Sequence, residues 1–577
     1  MKIQQIEQLK SLIRVARGFE SADTYISGAR VLNVYTGEVI QANLAIKDGL
    51  IAYVGQEEKP VSSQTKLIDA SNFFLVPGYI EPHAHSLIFN LLTFGEALLC
   101  RGVTTMVMDT LFLNFYRQGI GQLGQVASTL KSLPMTVLWG LRVDSPTPHP
   151  AEEELFPQRE IENALSADCV HSICELTSWR KILQGNEKIL KYLTIARAHG
   201  KNIDLHTAGA RGSDLQALVA SGATDCHESI NVREALERLR IGEYLLLRNS
   251  AIRRDLPELL KIITEQQMPT SRLMFTTDGP TPSYLMKEGS IDGMIAMALT
   301  HGIQPITAYQ MATLNPATYL RIDHLLGGIA PGRKADINFL TSLEEPTPVM
   351  VMQDGHLVAA QNKLLQPFSK FDWSNFRWKP KKEALSPVIF VADTERDTYP
   401  VIKLETEVLT RRVDMPGLGK ELPQGLLNLT LLDVEDRWVI NGFIQNLADN
   451  SLEAIASSNT MTGKCGIIVV GNNHDSMAQA ANMVLDMKGG IVLLENGKPS
   501  CTIPLTIGGV MSEDSMETLA RHQDILTSRL KQRGYKFNEI FYSLLFLMSS
   551  FLPDIRICPA GIYDVRNNQV LIKPVYY

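Results

Sequence analysis

Between residues 76 and 325, short apolar runs alternate with longer amphipathic stretches. The runs are "VPGYIEPHAH", "TTMVMD", "TVLWGLRV", "HSICEL", "NIDLHT", "ATDCHE", "EYLLLR" and "LMFTTD". Helical patterns such as "WRKILQGNEKILKYLTIARAHG" and "INVREALERLR" lie between most of them. Alternation of strand and helix predicts a parallel sheet, and eight such units predict a (β/α)8 barrel of the TIM type. Before this region, "DTYISGARVLNVYTGEVIQANLAIKDGLIAYVG" reads as consecutive hairpins turning at Thr36-Gly37 and Asp48-Gly49. After it, "GRKADINFLTS" and "VMVMQDGHLVAA" are again β segments, expected to pair with the first set into one small sheet domain. The stretch "FSKFDWSNFRWKPKKEALSP" reads as a linker, and beyond it strands and helices mix. The expected division is 1–75 (a first helix and the first part of a composite β domain), 76–325 (barrel), 326–365 (second part of the β domain), 366–384 (linker) and 385–577 (C-terminal mixed α/β domain).

A chain of 577 residues exceeds what a single hydrophobic core supports. Its net charge of -7, with no long basic run, excludes a nucleic-acid backbone as main partner. The amphipathic N-terminus is not a secretory signal, and the most apolar late stretch, "FYSLLFLMSSFL", is too short to span a bilayer and reads as a buried helix. The seven cysteines, Cys465 among them, form no C-x-x-C pair. That scatter suits reduced thiols, so a soluble cytoplasmic protein without a membrane partner is expected.

Candidate chemistry enters with "EPHAHS", where His83 and His85 are two residues apart. On a strand, residues i and i+2 share a face, so the two imidazoles address one point. Glu175 stands near the end of the fourth run, His206 of the fifth, His227 of the sixth and Asp278 of the eighth. Each alone has an ordinary reading: a hydrogen-bonded core histidine, a solvated strand end, or, for Asp278 in "TTDGP", a turn former. Barrel strands, however, deliver their C-terminal ends to one mouth, so all six converge. Four imidazoles and two carboxylates suit one or two divalent cations such as zinc, manganese or iron.

The order of these residues resembles the amidohydrolase superfamily, and within it the bacterial adenine deaminases. "VPGYIEPHAH", "ELTSW", "DLHTAGARGSDLQAL" and "GATDCHESINVREALERLRIGEYLLLR" carry the likeness in the barrel. "MATLNPATYLRIDHLLGGIAPGRKADINFL", "IIVVGNNHDSMAQAANMVLDMKGG" and "LPDIRICPAGIYDV" extend it over nearly the whole chain. The resemblance implies that His83, His85, Glu175, His206, His227 and Asp278 hold two manganese or iron ions, with zinc as an alternative. Glu175 then bridges them, and Asp278 carries the proton from water to the departing ammonia. It further implies a purine-base substrate, a role in purine salvage and a homodimer. Four places depart from the family. Ser86-Leu87-Ile88-Phe89 stands for Ile-Glu-Ser-Ser, Asp109-Thr110-Leu111-Phe112 for Asp-Pro-His-Glu, Ser290 for the histidine of Gly-His-Ile-Asp, and Thr462-Gly463-Lys464-Cys465-Gly466 for His-Asp-Ser-His-Asn. None removes a candidate ligand, but each strips polar groups from loops able to line the substrate pocket. Two alternatives to adenine deamination therefore stand: hydrolysis of another nitrogen heterocycle or cyclic amide, and a binding protein with a purely structural metal.

Overall fold

The computed structural model describes the chain except residues 1–5, 115–118, 132, 381–382, 394–395, 419–421 and 464–465. Lys464 and Cys465, named above, thus lie outside the described residues. Eight strands form the central sheet: β1 (Tyr79–Ala84), β2 (Val103–Asp109), β3 (Thr136–Leu141), β4 (Val170–Leu176), β5 (Asn202–Leu205), β6 (Asp225–Cys226), β7 (Tyr244–Arg248) and β8 (Leu273–Thr276). They are hydrogen-bonded in chain order, each parallel to the next. Closure comes where Ala84 bridges Asp278 in parallel and the His85 N–H donates to the Asp278 carbonyl at 3.2 Å. The sheet is therefore the expected (β/α)8 barrel.

Strands covered on both faces need continuous apolar sequence, and every residue of β1 and β2 is buried. Between strands the helices obey their caps. Helix Glu187–Ala198 starts behind Asn186, whose side chain accepts the Ile189 N–H at 3.1 Å, and stops before Gly200 at φ 65°.

Strands from both sides of the barrel share one nine-stranded sheet, in which Ile337–Leu340 runs antiparallel to Phe74–Pro77. Its tight turns are those the sequence announced: Asp48 and Gly49 both take positive φ, as a two-residue hairpin turn with the right twist requires. The C-terminal part holds another nine-stranded sheet and a three-stranded one. The stretch expected as a linker is more than a tether, because Trp373, Phe376 and Trp378 are buried in it. Helix Ile540–Phe546, cut from the most apolar late stretch, has six buried residues. No helix among the described residues is long and apolar enough to cross a membrane.

Candidate metal centre

The six expected residues meet at the C-terminal mouth of the barrel. His83 lies on β1 and His85 just past it, and their Nε2 atoms are 2.9 Å apart. His85 Nε2 is 3.2 Å from a Glu175 oxygen and 3.2 Å from Asp278 Oδ1. The other Glu175 oxygen is 3.1 Å from His206 Nδ1, so this carboxylate faces His85 on one side and His206 on the other. Ligand-type atoms of His83, His85 and Glu175 cluster, as do those of Glu175, His206 and His227, and those of His83, His227 and Asp278.

The donors fit metal ions on the chemistry of their protons. His83 Nδ1 sits 2.8 Å from Asp204 and His85 Nδ1 2.9 Å from Asp109. With Nδ1–H donated to a carboxylate, each neutral imidazole carries its lone pair on Nε2, and these two atoms face each other across 2.9 Å. A cation shared between them is coordinated by both lone pairs. All four ring nitrogens of His206 and His227 are buried without a hydrogen-bond partner, a costly state for imidazoles that ligation relieves. Charge agrees. Among the described residues, Asp109, Glu175, Asp204, Glu228 and Asp278 are met by Arg142, Arg248 and the partly exposed Arg253, three guanidiniums against five carboxylates, which leaves a negative surplus for divalent ions.

Electrostatics keep the carboxylates ionised. Burial pushes Glu175 toward the neutral form, but Arg142, His85 and His206 hold it well below the usual carboxylate range. Asp278 is likewise held down against burial, by His83, His85 and Arg248, whose Nη1 is 2.9 Å from Asp278 Oδ2. In the metal-free protein burial is outweighed by Glu175, Asp109 and Asp278, which push His85 up to about 10; a bound cation displaces the extra proton from Nε2. Glu175 and Asp278 also stand at positive φ, 46° and 58°, an uncommon backbone for side chains and one that clusters at working sites.

Two models of known families cover most of the chain. "Amidohydrolase family" matches residues 74–358, and "Adenine deaminase C-terminal domain" matches 404–569. A protein of Picrophilus torridus bearing the name "Putative adenine deaminase" is 33% identical, the match covering 99% of this chain and 95% of that one. A Bacillus subtilis protein of like name is 32% identical, with 95% of each chain covered. The adenine deaminase of Kosmotoga olearia is 30% identical over 96% of this chain and 97% of its own. The chain belongs to the adenine deaminase family of amidohydrolases.

Amidohydrolases are metal-dependent enzymes, and this member shows how completely the mouth is furnished. Every strand delivers a polar group there. Beyond the six expected, Asp109 ends β2, Arg142 follows β3, Asp204 lies in β5, Glu228 follows His227, and Arg248 ends β7. Arg142 ties Asp109 (2.7 Å) to Glu175, and Arg248 ties Glu228 to Asp278. Sequence reading passed over Arg142, Arg248, Asp204 and Glu228. A basic residue closing an otherwise apolar strand at the mouth end was the available signal for the two arginines.

Above the centre lies a cavity of about 120 Å³. That is well below the roughly 300 Å³ at which pockets for drug-sized ligands begin. His85, Asp109, Glu175, His206 and Asp278 form its floor, and Val408, Asn459–Met461, Tyr542, Phe546 and Phe551 of the C-terminal part roof it. The Phe551 ring stands edge-on to His206 at 4.7 Å between centroids. Of the four departures from the family, two reach the cavity: Ser86 and Leu87 line it, as do Asp109, Leu111 and Phe112. Ser290 is buried outside it, and Met461, next to the fourth, lines it.

Proposed function

We propose that the protein hydrolyses the amino group of adenine, giving hypoxanthine and ammonia, with His83, His85, Glu175, His206, His227 and Asp278 as ligands of two divalent cations. Manganese or iron is the expected metal, with zinc an alternative. The observation that carries the reading is the Glu175 carboxylate set between two histidine groups, with Asp278 alongside. When bound, the two cations lower the pKa of water so that hydroxide is available at neutral pH.

The chain's own residues supply the rest. Arg142 and Arg248 keep Glu175 and Asp278 anionic. Asp278, its Oδ1 3.2 Å from His85 Nε2 and its Oδ2 on Arg248, accepts the proton of the attacking water. The same proton then passes to the exocyclic nitrogen as the C6–N bond breaks, and ammonia leaves. The roof excludes bulk water, which strengthens each of these charge interactions. We place the reaction in the cytoplasm, where the six described cysteines, all free, stay reduced. A homodimer rests on the family resemblance and is testable by sedimentation.

A second reading has its own support. Leu87, Leu111 and Phe112, at departures from the family pattern, together with Met461 make the cavity wall apolar, which favours a less polar nitrogen heterocycle. Ammonia release from adenine by the manganese- or iron-loaded protein tests both. Activity on adenine that falls by at least about 100-fold in Asp278→Asn, with metal content unchanged, supports the first. Inactivity on adenine with both metals bound refutes it and leaves the second, to be followed with other heterocycles and cyclic amides.

A further inference from the structure

Asn459 sits in the segment between strands Ala454–Ser457 and Gly466–Gly471, 7% exposed, and lines the cavity above the metal centre. Its neighbours in sequence are all tied down. Ser458 Oγ accepts the Gly490 N–H at 2.8 Å and donates to the Gly509 carbonyl, Thr460 and Thr462 hydroxyls pair at 3.0 Å, and the Thr462 carbonyl meets His149 Nε2 at 2.6 Å. The Asn459 N–H itself donates to Ser457 Oγ at 3.1 Å. Its carboxamide has no hydrogen-bond partner among the described residues. Ser86 Oγ is engaged with the Phe89 carbonyl and Tyr542 O–H with the Gly279 carbonyl, while Arg253, bound through Nε and Nη1 to Asp255 and Glu228, keeps Nη2 without a partner but offers only donors.

The carboxamide is thus open to the cavity on a backbone held at both sides, which makes it available to a bound ring. A carboxamide offers one donor and one acceptor side by side. Along a free purine base the same pattern occurs twice away from N1: N9–H beside N3, and the C6 amino group beside N7. Val408, Met461, Phe546 and Phe551 of the roof offer apolar surface, which does not distinguish one ring edge from another. We propose that Asn459, supplied by the C-terminal part, reads the donor–acceptor edge of the substrate and so determines which heterocycle is accepted. This rests on the deaminase reading above. It gives the C-terminal part a role in selectivity beyond covering the mouth.

The test is a cycle of two changes, one in the protein and one in the base. Rates of ammonia release are measured on adenine, 3-deazaadenine and 7-deazaadenine for the metal-loaded wild type and for Asn459→Leu. An edge contact of this kind discriminates by about 10- to 100-fold. The wild type loses that factor on one of the two analogues. The variant loses it on adenine and no longer distinguishes adenine from that analogue, with metal content intact. An equal fall on all three bases, or no change, overturns the proposal. Asn459→Asp, which keeps the shape and removes the donor, gives the same comparison if the leucine variant does not fold. If the wild type releases no ammonia from adenine, the deaminase reading fails, and thermal stabilisation by adenine decides separately. Stabilisation of the wild type but not the variant upholds Asn459 as the reader, and its absence in the wild type overturns both.

Discussion

Asp204→Asn is the sharpest perturbation of the metal centre, because one carboxylate serves both halves of it. Asp204 Oδ2 is 2.8 Å from His83 Nδ1 and accepts the Glu175 N–H at 3.1 Å, while Oδ1 is 3.6 Å from His227 Nδ1. An amide in its place keeps an oxygen for His83 and Glu175 and turns its NH2 toward His227. At 3.6 Å Asp204 Oδ1 favours the ring proton on Nδ1 by its charge rather than by a hydrogen bond; an amide NH2 there repels that proton, which moves to Nε2, already 3.5 Å from Glu228. His227 then offers its metal no lone pair there. Loss of such an orienting partner weakens metal affinity by roughly 10- to 100-fold, or about 1.4–2.8 kcal/mol. The effect is selective: the ion associated with Glu175, His206 and His227 is lost first, and the one at His83 and His85 stays. Metal retained per chain, measured against increasing chelator, shows two separate steps in the variant. Unchanged retention, or simultaneous loss of both ions with the fold intact, refutes the assignment of Asp204 as a shared orienting group.

Three further outcomes follow from buried charge. Arg142→Met leaves Asp109 and Glu175 without their guanidinium at a 2% exposed position, and destabilises the metal-free protein by about 3–5 kcal/mol in chemical unfolding. A near-neutral result would mean that the carboxylates find other partners. Glu539, which accepts from Gln523 Nε2 at 2.7 Å, is pushed up to about 7, by burial above all. A raised acid holds its proton in the folded chain after the unfolded chain has lost it, so stability falls as pH rises from about 4.5 to 7, by about 3 kcal/mol at most. Glu539→Gln should flatten that fall between pH 5 and 8, and an unaltered pH profile would show that Glu539 is not its source. Removing the metals should abolish ammonia release and lower thermal stability, and reloading should restore both.

The barrel and its six candidate ligands were readable because both depend on local regularities. Apolar runs at strand spacing place the sheet, and a polar residue at the end of such a run marks the mouth. Arg142 and Arg248 were passed over since an arginine after "TVLWGL" or "YLLL" looks like a strand emerging into water. In the fold each is 3% exposed or less and pinned between two carboxylates. Asp204 hid inside "NIDL", where a polar residue on a short strand suggests an outward face. Asn459, Tyr542 and Phe551 offered no local signal at all. They reach the cavity through packing of the C-terminal part over the barrel, a relation between segments that no short window of sequence contains.

Family likeness and family departure divide along a physical line. The candidate ligand positions lie on strands or within two residues of their ends, where register with both neighbours fixes direction and a one-residue slip turns a side chain to the opposite face. Two of them, Glu175 and Asp278, also stand at positive φ, a conformation that costs about 1–3 kcal/mol and persists only where surrounding contacts hold it. Thr276 supplies such a hold. Its hydroxyl donates to Glu81 at 2.7 Å and accepts the Asp278 N–H at 2.9 Å, locking β8 to β1 at the seam of the barrel. Replacing Thr276 therefore disturbs Glu81 and Asp278 together. The segments holding Leu87, Leu111, Phe112 and Met461 line the cavity and carry none of the six candidate ligands. They are free to exchange charge for hydrocarbon while the chemistry beneath them is kept, and substrate choice is the property that such exchanges alter.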